Sequence, residues 1–300
     1  MNALVTGGAG FIGSNLVDQL IEDGHRVVIV DDLSTGKLEN VNSKAEFLWG
    51  NDLSQSNLFF DHIVDIDVVF HLAAKARVQP SIEDPVGFNE VNCDGTLMLL
   101  KAAADHNVKR FVFSSSSSVY GNAEIFPTAE NHPTNPLSPY GAQKLIGEIY
   151  CKMFSEVYGL ETVSLRYFNV YGERQVLEGA YCLVMGIFMQ QRLNGKPMTI
   201  NGDGEQRRDF TYVGDVVRAN ISAATSNLVG KGEVINIGNG DNRSVNDVAD
   251  MIGGDKVHLD PVLEPKITLA DRRFAKELLN WEPTTKIEDW IEIYKKDLGL

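Results

Sequence analysis

Residues 6–13 read Thr6-Gly7-Gly8-Ala9-Gly10-Phe11-Ile12-Gly13, between the apolar run Ala3–Thr6 and a helical pattern over Ile12–Asp23. Gly7, Gly10 and Gly13 recur at every third position. Residues without side chains there permit a tight strand-to-helix turn. They also let backbone N–H groups approach a pyrophosphate and aim a helix N-terminus at its charge. Glycine spacing alone is also compatible with an ordinary tight turn. The next apolar run, Arg26–Val30, ends in Asp31-Asp32. Asp31 lies about 20 residues past the turn, where a carboxylate can hold both hydroxyls of an adenosine ribose. It would repel a 2′-phosphate, so the spacing favours NAD over NADP. Asp52 and Leu53 follow a further strand-like run and are expected to flank the adenine; a solvated loop acid is the alternative.

Outward from this turn, short apolar runs alternate with amphipathic stretches. The runs Val68–His71, Arg110–Ser114 and Thr162–Tyr167 alternate with helical patterns over Val91–Asn107 and Tyr140–Tyr158. Strand followed by helix, repeated, predicts an α/β fold: a doubly wound parallel-sheet Rossmann domain. Pro139 suits the first position of the last of these helices and Gly159 its end. Past about residue 170 the elements shorten and turns cluster at Gly202-Asp203-Gly204 and Gly238-Asn239-Gly240-Asp241. The expected division is a dinucleotide-binding domain over 1–170, rejoined by a segment near 211–240. A smaller α/β substrate-binding lobe spans 171–300.

Three hundred residues with 43% apolar and 23% charged content suit a globular chain of one or two coupled domains. A net charge of −14 repels phosphate backbones and anionic lipid, so no nucleic-acid or membrane partner is expected. The apolar run Tyr181–Met189 is far short of the ~18 residues a membrane span needs. No basic leader precedes the first strand, and Cys93, Cys151 and Cys182 are odd in number and widely spaced. That usage suits reduced thiols and a cytoplasmic location. The six His form no metal-ligand spacing, so no metal is expected.

Tyr140 and Lys144 stand four residues apart, on one face of the Tyr140–Tyr158 helix. By itself such a pair is an ordinary exposed one; beside an NAD turn and the run Ser114–Ser118 it acquires a chemical reading. A free phenol has a pKa of ~10 and is a poor base at neutral pH. A cation at ~4 Å in an effective dielectric of ~20 contributes about 4 kcal/mol, enough to lower that value by about three units. Lys144 and the positive ring of NAD⁺ are expected to supply this charge and make Tyr140 a working base.

Together, TGGAGFIGS at 6–14, HLAA at 71–74, SSSSSVYG at 114–121, SPYGAQK at 138–144, RYFNVYG at 166–172, GDGEQRRDF at 202–210 and NIGNG at 236–240 resemble one family. It is the extended short-chain dehydrogenases/reductases, in their NAD-dependent nucleotide-sugar epimerase/dehydratase group, and the chain is most similar to UDP-hexose 4-epimerases. The resemblance implies a catalytic set of Tyr140, Lys144 and Ser116. It implies a cofactor site of Gly7, Gly10, Phe11, Ile12, Gly13, Asp31, Asp32, Leu72, Ala73 and Ala74, with Lys144 on the nicotinamide ribose and Tyr167 approaching the cofactor. Asn169 and Arg208 would hold a substrate diphosphate. For Arg208 the alternative is a salt bridge with Asp209 or Asp215, and for Asn169 a turn.

The implied reaction is inversion at carbon 4 of a nucleotide sugar through a 4-keto intermediate, for UDP-glucose and UDP-galactose. Dehydratases carry an acidic pair where this chain has Ser117 and Ser118, and decarboxylating relatives keep a glutamate at the second position. Thr268, just before Ala270-Asp271, holds the place of a gatekeeper; its small size implies room for the UDP-GlcNAc/UDP-GalNAc pair. Two departures stand out. The arginine that relatives place shortly before Glu264 is missing, which implies either a weaker diphosphate anchor or one shared by Lys266 or Arg272. Arg77, beside Lys75, replaces a small residue; it reads either as a cation for a UDP-uronate or as an ordinary ion pair. Leu97, Leu100, Ile149 and Met153 exceed one core-facing stripe, and with the family resemblance they imply a homodimer.

Overall fold

The computed structural model describes residues 1–50, 65–175, 183–262 and 264–300. Asp52, Leu53 and Cys182 therefore lie outside the described residues. The chain opens with β1 (Asn2–Thr6), α1 (Phe11–Glu22), β2 (Arg26–Asp31), β3 (Glu46–Trp49) and β4 (Val68–His71). Two short helices, α2 (Val78–Glu83) and α3 (Pro85–Asn89), lead into α4 (Thr96–Asp105), β5 (Arg110–Ser116), α5 (Pro139–Tyr158) and β6 (Glu161–Tyr167). After β7 (Val170–Tyr171) come α6 (Val184–Leu193), β8 (Met198–Asn201), β9 (Arg207–Asp209), β10 (Thr211–Tyr212), α7 (Val213–Thr225) and β11 (Lys231–Ile237). The chain closes with β12 (Asn242–Ser244), α8 (Val245–Ile252), β13 (Lys256–Leu259), α9 (Arg273–Leu279) and α10 (Ile287–Asp297).

Seven strands form one sheet in the order β11-β6-β5-β4-β1-β2-β3, every pairing parallel. The chain winds outward from β1 in both directions, so the order reverses between β1 and β4. Ligands of such sheets bind beyond the carboxyl ends of the strands at that reversal, which is where Gly7 sits. Alternation along β1 explains the two layers. Ala3 and Val5 join Leu16, Val17 and Leu20 on one face, while Leu4 joins Leu99, Leu100 and Phe154 on the other. Strand β11, from the 211–240 stretch, extends this sheet beside β6. A separate apolar cluster gathers Met185, Phe188, Met198, Phe210, Val248 and Trp290 around α6, α8 and α10.

Two elements differ from the sequence pattern. The Val91–Asn107 helix begins as a π-helical turn, Glu90–Gly95, before α4. There Asn92 accepts from the Lys75 backbone N–H at 2.9 Å and donates to the Lys75 carbonyl and to Gln143. The widened turn lets that side chain reach out of the helix and clamp the loop after β4. Strand β5 continues past Ser114 to Ser116, because Ser115 and Ser116 keep pairing with Arg166 and Tyr167. Of the four residues read as surplus apolar surface, Leu100 belongs to the core and Leu97 and Met153 pack against it; Ile149 is 59% exposed.

Candidate active site

Beyond the strand ends lies a cleft of about 1340 Å³ whose walls carry the glycine turn, the serine run, Tyr140, Lys144 and Arg208. At the turn, Gly7 has φ +71°, and a Cβ there would stand 2.7 Å from the Ala73 nitrogen. A Cβ on Gly13 would run into the Gly7 carbonyl, so neither position admits a side chain. Gly10, Phe11, Ile12, Leu72, Ala73 and Ala74 line the same floor. Asp31 is fixed by N–H donors, from Ala9 to Oδ2 at 2.9 Å and from Leu33 to Oδ1 at 2.8 Å. Burial nonetheless raises its pKa above the ordinary carboxylate value, against the pull of those two bonds. Asp32 also borders the cleft, but its Oδ1 is engaged by the Ser34 N–H and hydroxyl. Bare backbone beside a fixed carboxylate suits a dinucleotide pyrophosphate and its ribose.

Tyr140 occupies the first turn of α5, which Ser138 caps and Pro139 opens. The phenol is partly exposed to the cleft. Burial of its ring raises its pKa, while hydrogen bonding from the Ser116 hydroxyl and then the Arg77 charge pull it down. Lys144, one turn on, is 4% exposed. Its Nζ donates to the Ser114 carbonyl at 2.7 Å and lies 5.0 Å from the Phe113 ring centroid and 5.9 Å from that of Tyr140. Burial lowers its pKa to about 8. The Lys144 ammonium is turned to the Ser114 carbonyl, and the Arg77 charge is the one that draws the phenol's pKa down. Arg77 holds φ +104°, a conformation a side-chain-bearing residue rarely adopts and that concentrates at functional sites.

The serine run divides its tasks. Ser114 Oγ meets the Tyr167 hydroxyl at 3.0 Å, Ser115 Oγ donates to Glu148, and Ser116 Oγ accepts from the Ser118 N–H and hydroxyl at 3.2 and 3.0 Å. Ser117 and Ser118 border the cleft with hydroxyls only. Tyr167 lines it too, but its hydroxyl also donates to Asn220, and burial pushes its pKa up to about 12.

On the facing wall, Asn169 donates from Nδ2 to the Asp209 carbonyl and to Thr268 Oγ1, both at 3.1 Å. Asn169 and Thr268 are thereby tied together. Arg208 is 8% exposed and donates from Nη2 to Glu264 Oε2 at 2.5 Å. Its partner is neither Asp209 nor Asp215. Asp209 is wrapped by the N–H groups of Asn239, Gly240 and Ala270, and Asp215 pairs with Arg218 at 2.6 Å. Neither Lys266 nor Arg272 is among the described residues that line the cleft, whereas Glu264 and Pro265 are. Gln206, which donates to Glu264 at 3.2 Å and borders the cleft, was not singled out by sequence; its place within GDGEQRRDF was the available signal.

A family model described as the NAD dependent epimerase/dehydratase family matches residues 3–238. The UDP-glucose 4-epimerase of Mycolicibacterium smegmatis is 38% identical over 306 residues, covering 97% of this chain and 96% of its own length. Among solved structures, the UDP-glucose 4-epimerase of Thermotoga maritima with UDP-glucose superposes with a TM-score of 0.93 at 40% identity, covering 99% of this chain and all of that one. The UDP-N-acetylglucosamine 4-epimerase of Methanobrevibacter ruminantium M1, in complex with UDP-N-acetylmuramic acid, gives 0.91 at 40% identity over 97% of this chain and 95% of that one. The chain belongs to the NAD dependent epimerase/dehydratase family, and its cofactor is NAD.

Proposed function

We propose that this enzyme is a 4-epimerase of a nucleotide sugar, acting on UDP-glucose and UDP-galactose. The observation that carries the reading is the convergence of Tyr140, Ser116 and Lys144 beside the glycine cradle, with only hydroxyls at Ser117 and Ser118. Elimination of water from carbon 6 needs a stronger acid–base pair than two serines supply. Inversion at carbon 4 needs one proton acceptor and a hydride carrier.

Gly7, Gly10, Gly13 and Asp31 would hold NAD, with Lys144 on the nicotinamide ribose; when bound, the cofactor accepts a hydride from carbon 4 and returns it to the other face. Tyr140 takes the proton of the 4-hydroxyl and later gives it back, and Ser116 orients that hydroxyl. Burial makes the phenol a weak base, the Ser116 hydroxyl and Arg77 oppose that, and a positive nicotinamide ring held beside it would add to their pull. Arg208 and Asn169 hold the diphosphate, and Arg208 exchanges Glu264 for it. A planar guanidinium suits that bidentate hold. Tethered at the diphosphate, the sugar has room to turn within the cleft.

Thr268 borders the cleft with a small side chain, which favours the UDP-GlcNAc pair as a second substrate. A second reading, a UDP-uronate 4-epimerase, draws on Arg77 and Lys75 at the cleft wall. Lys75 is in contact with Asp84 at 3.5 Å, which blunts its charge. The exposed Ile149 on α5 supports a twofold dimer through that helix. Incubating the protein and NAD with UDP-glucose, UDP-GlcNAc and UDP-glucuronate separately, and reading products by proton NMR, tests the assignment. Formation of UDP-galactose supports it; turnover of the uronate alone replaces it with the second reading.

A further inference from the structure

Behind the catalytic wall lies a buried ion pair that touches no ligand space. Glu148 on α5 and Arg166 on β6 have side chains 4% and 5% exposed. Arg166 donates to Glu148 from Nε at 2.9 Å and from Nη2 at 2.7 Å. The same Oε1 accepts the Ser115 hydroxyl at 2.5 Å. Arg166 Nη1 reaches the Glu130 carbonyl at 3.2 Å, and its guanidinium lies 4.6 Å from the centroid of the Tyr120 ring. The Tyr120 hydroxyl in turn donates to Asn236 on β11 at 2.7 Å.

A buried pair of this kind is weak evidence for stability, because desolvating two charges offsets most of their attraction. Its placement gives it another use. Glu148 stands one helical turn beyond Lys144, which stands one turn beyond Tyr140. Lys144 grips β5 at the Ser114 carbonyl, and Glu148 grips it at the next residue, Ser115. Two polar contacts, at successive turns of one helix and successive residues of one strand, fix how α5 lies along β5. That register decides where Tyr140 stands relative to Ser116. Gly147, between Lys144 and Glu148, packs directly on the Phe113 ring of the same strand, and the two polar contacts add to that seating.

We propose that Ser115, Glu148 and Arg166 are positioning residues that set the Tyr140–Ser116 geometry of the reaction. This rests on the reading of Tyr140 as the group that exchanges the sugar proton. The charged groups facing the phenol are Arg77, from the loop after β4, and Lys144, on its own helix. Glu148 faces Arg166 and Ser115 and lies near Lys144. Loosening the register weakens the Ser116 hydrogen bond to the phenolate and leaves Arg77, on a separate loop, in place.

The test compares Ser115→Ala, the apolar pair Glu148→Leu/Arg166→Met, Tyr140→Phe and the parent enzyme, all with NAD and UDP-glucose. Ser115→Ala is expected to lower kcat about tenfold, to leave KM within about twofold, and to move the acidic limb of the pH profile up by about one unit. The apolar pair is expected to fold with an unchanged or higher Tm, yet to show the same loss of kcat and the same shift. Ser115→Ala with parental kcat and pH profile overturns the proposal, whatever happens to Tm. So does an apolar pair that folds and keeps both parental values. If the pair does not fold, Ser115→Ala decides alone. Undiminished turnover by Tyr140→Phe would instead remove the underlying reading of the phenol.

Discussion

The two ends of the cleft are prepared differently. At the cofactor end the groups are already in place: bare glycines, and Asp31 held by two backbone N–H donors. Among the described residues, a ribose at Asp31 would meet groups already fixed. At the other end Arg208 is occupied by Glu264, and Asn169 by Thr268. On the proposed reading, a diphosphate would exchange with a partner already bound. On that same reading, the difference suits a cofactor held from one cycle to the next and a substrate that comes and goes. An enzyme whose cofactor is restored in every cycle needs that asymmetry.

Between the two ends stands Tyr140, and removing its hydroxyl should have the largest effect. Tyr140→Phe is expected to lower turnover at least ~1000-fold with little change in binding of either ligand, checked by proton NMR of the sugar and calorimetry with UDP. Arg208→Met probes the exchanging end. Loss of a charge-assisted bond to the diphosphate should raise KM for the sugar about 30-fold and spare NAD binding, as steady-state kinetics would report. A change confined to NAD affinity would break the comparison. Asp31→Asn probes the preformed end: NAD affinity should fall about tenfold, and discrimination against NADP should narrow. Fluorescence titration of both cofactors measures it.

The smallest effect concerns stability. Lys144 has a folded pKa of about 8, below its ordinary 10.5. The folded chain therefore releases this proton first as pH rises. Its contribution to stability increases across pH 8 to 10.5 and is constant below that window. Lys144→Met should melt higher than the parent at pH 7, and that advantage should shrink as pH rises through the window. Thermal melts of both proteins across that range would show it. An advantage that grows with pH would contradict the assignment.

Local order made much of this legible. The glycine turn, Asp31, and the Tyr140–Lys144 helix with Pro139 and Gly159 at its ends are short-range patterns, and the structure places each on the expected element. What escaped depends on residues far apart in the chain. Glu264 lies 56 positions from Arg208, so no local pattern reveals that they pair. The π-turn at Glu90–Gly95 answers to Asn92 reaching Lys75 and Gln143, on two other segments. The periodicity of Val91–Asn107 could not show that Leu100 faces the core, because a helix between a sheet and another helix buries more than one stripe.

The reaction itself is best tested by following hydrogen at carbon 4. Incubating the enzyme and NAD with UDP-glucose in heavy water, and reading the product by NMR and mass spectrometry, distinguishes hydride return from proton exchange with solvent. UDP-galactose that keeps protium at carbon 4 is the expected result. Deuterium at carbon 4 or carbon 5 of the product would contradict a hydride handed back within the cleft.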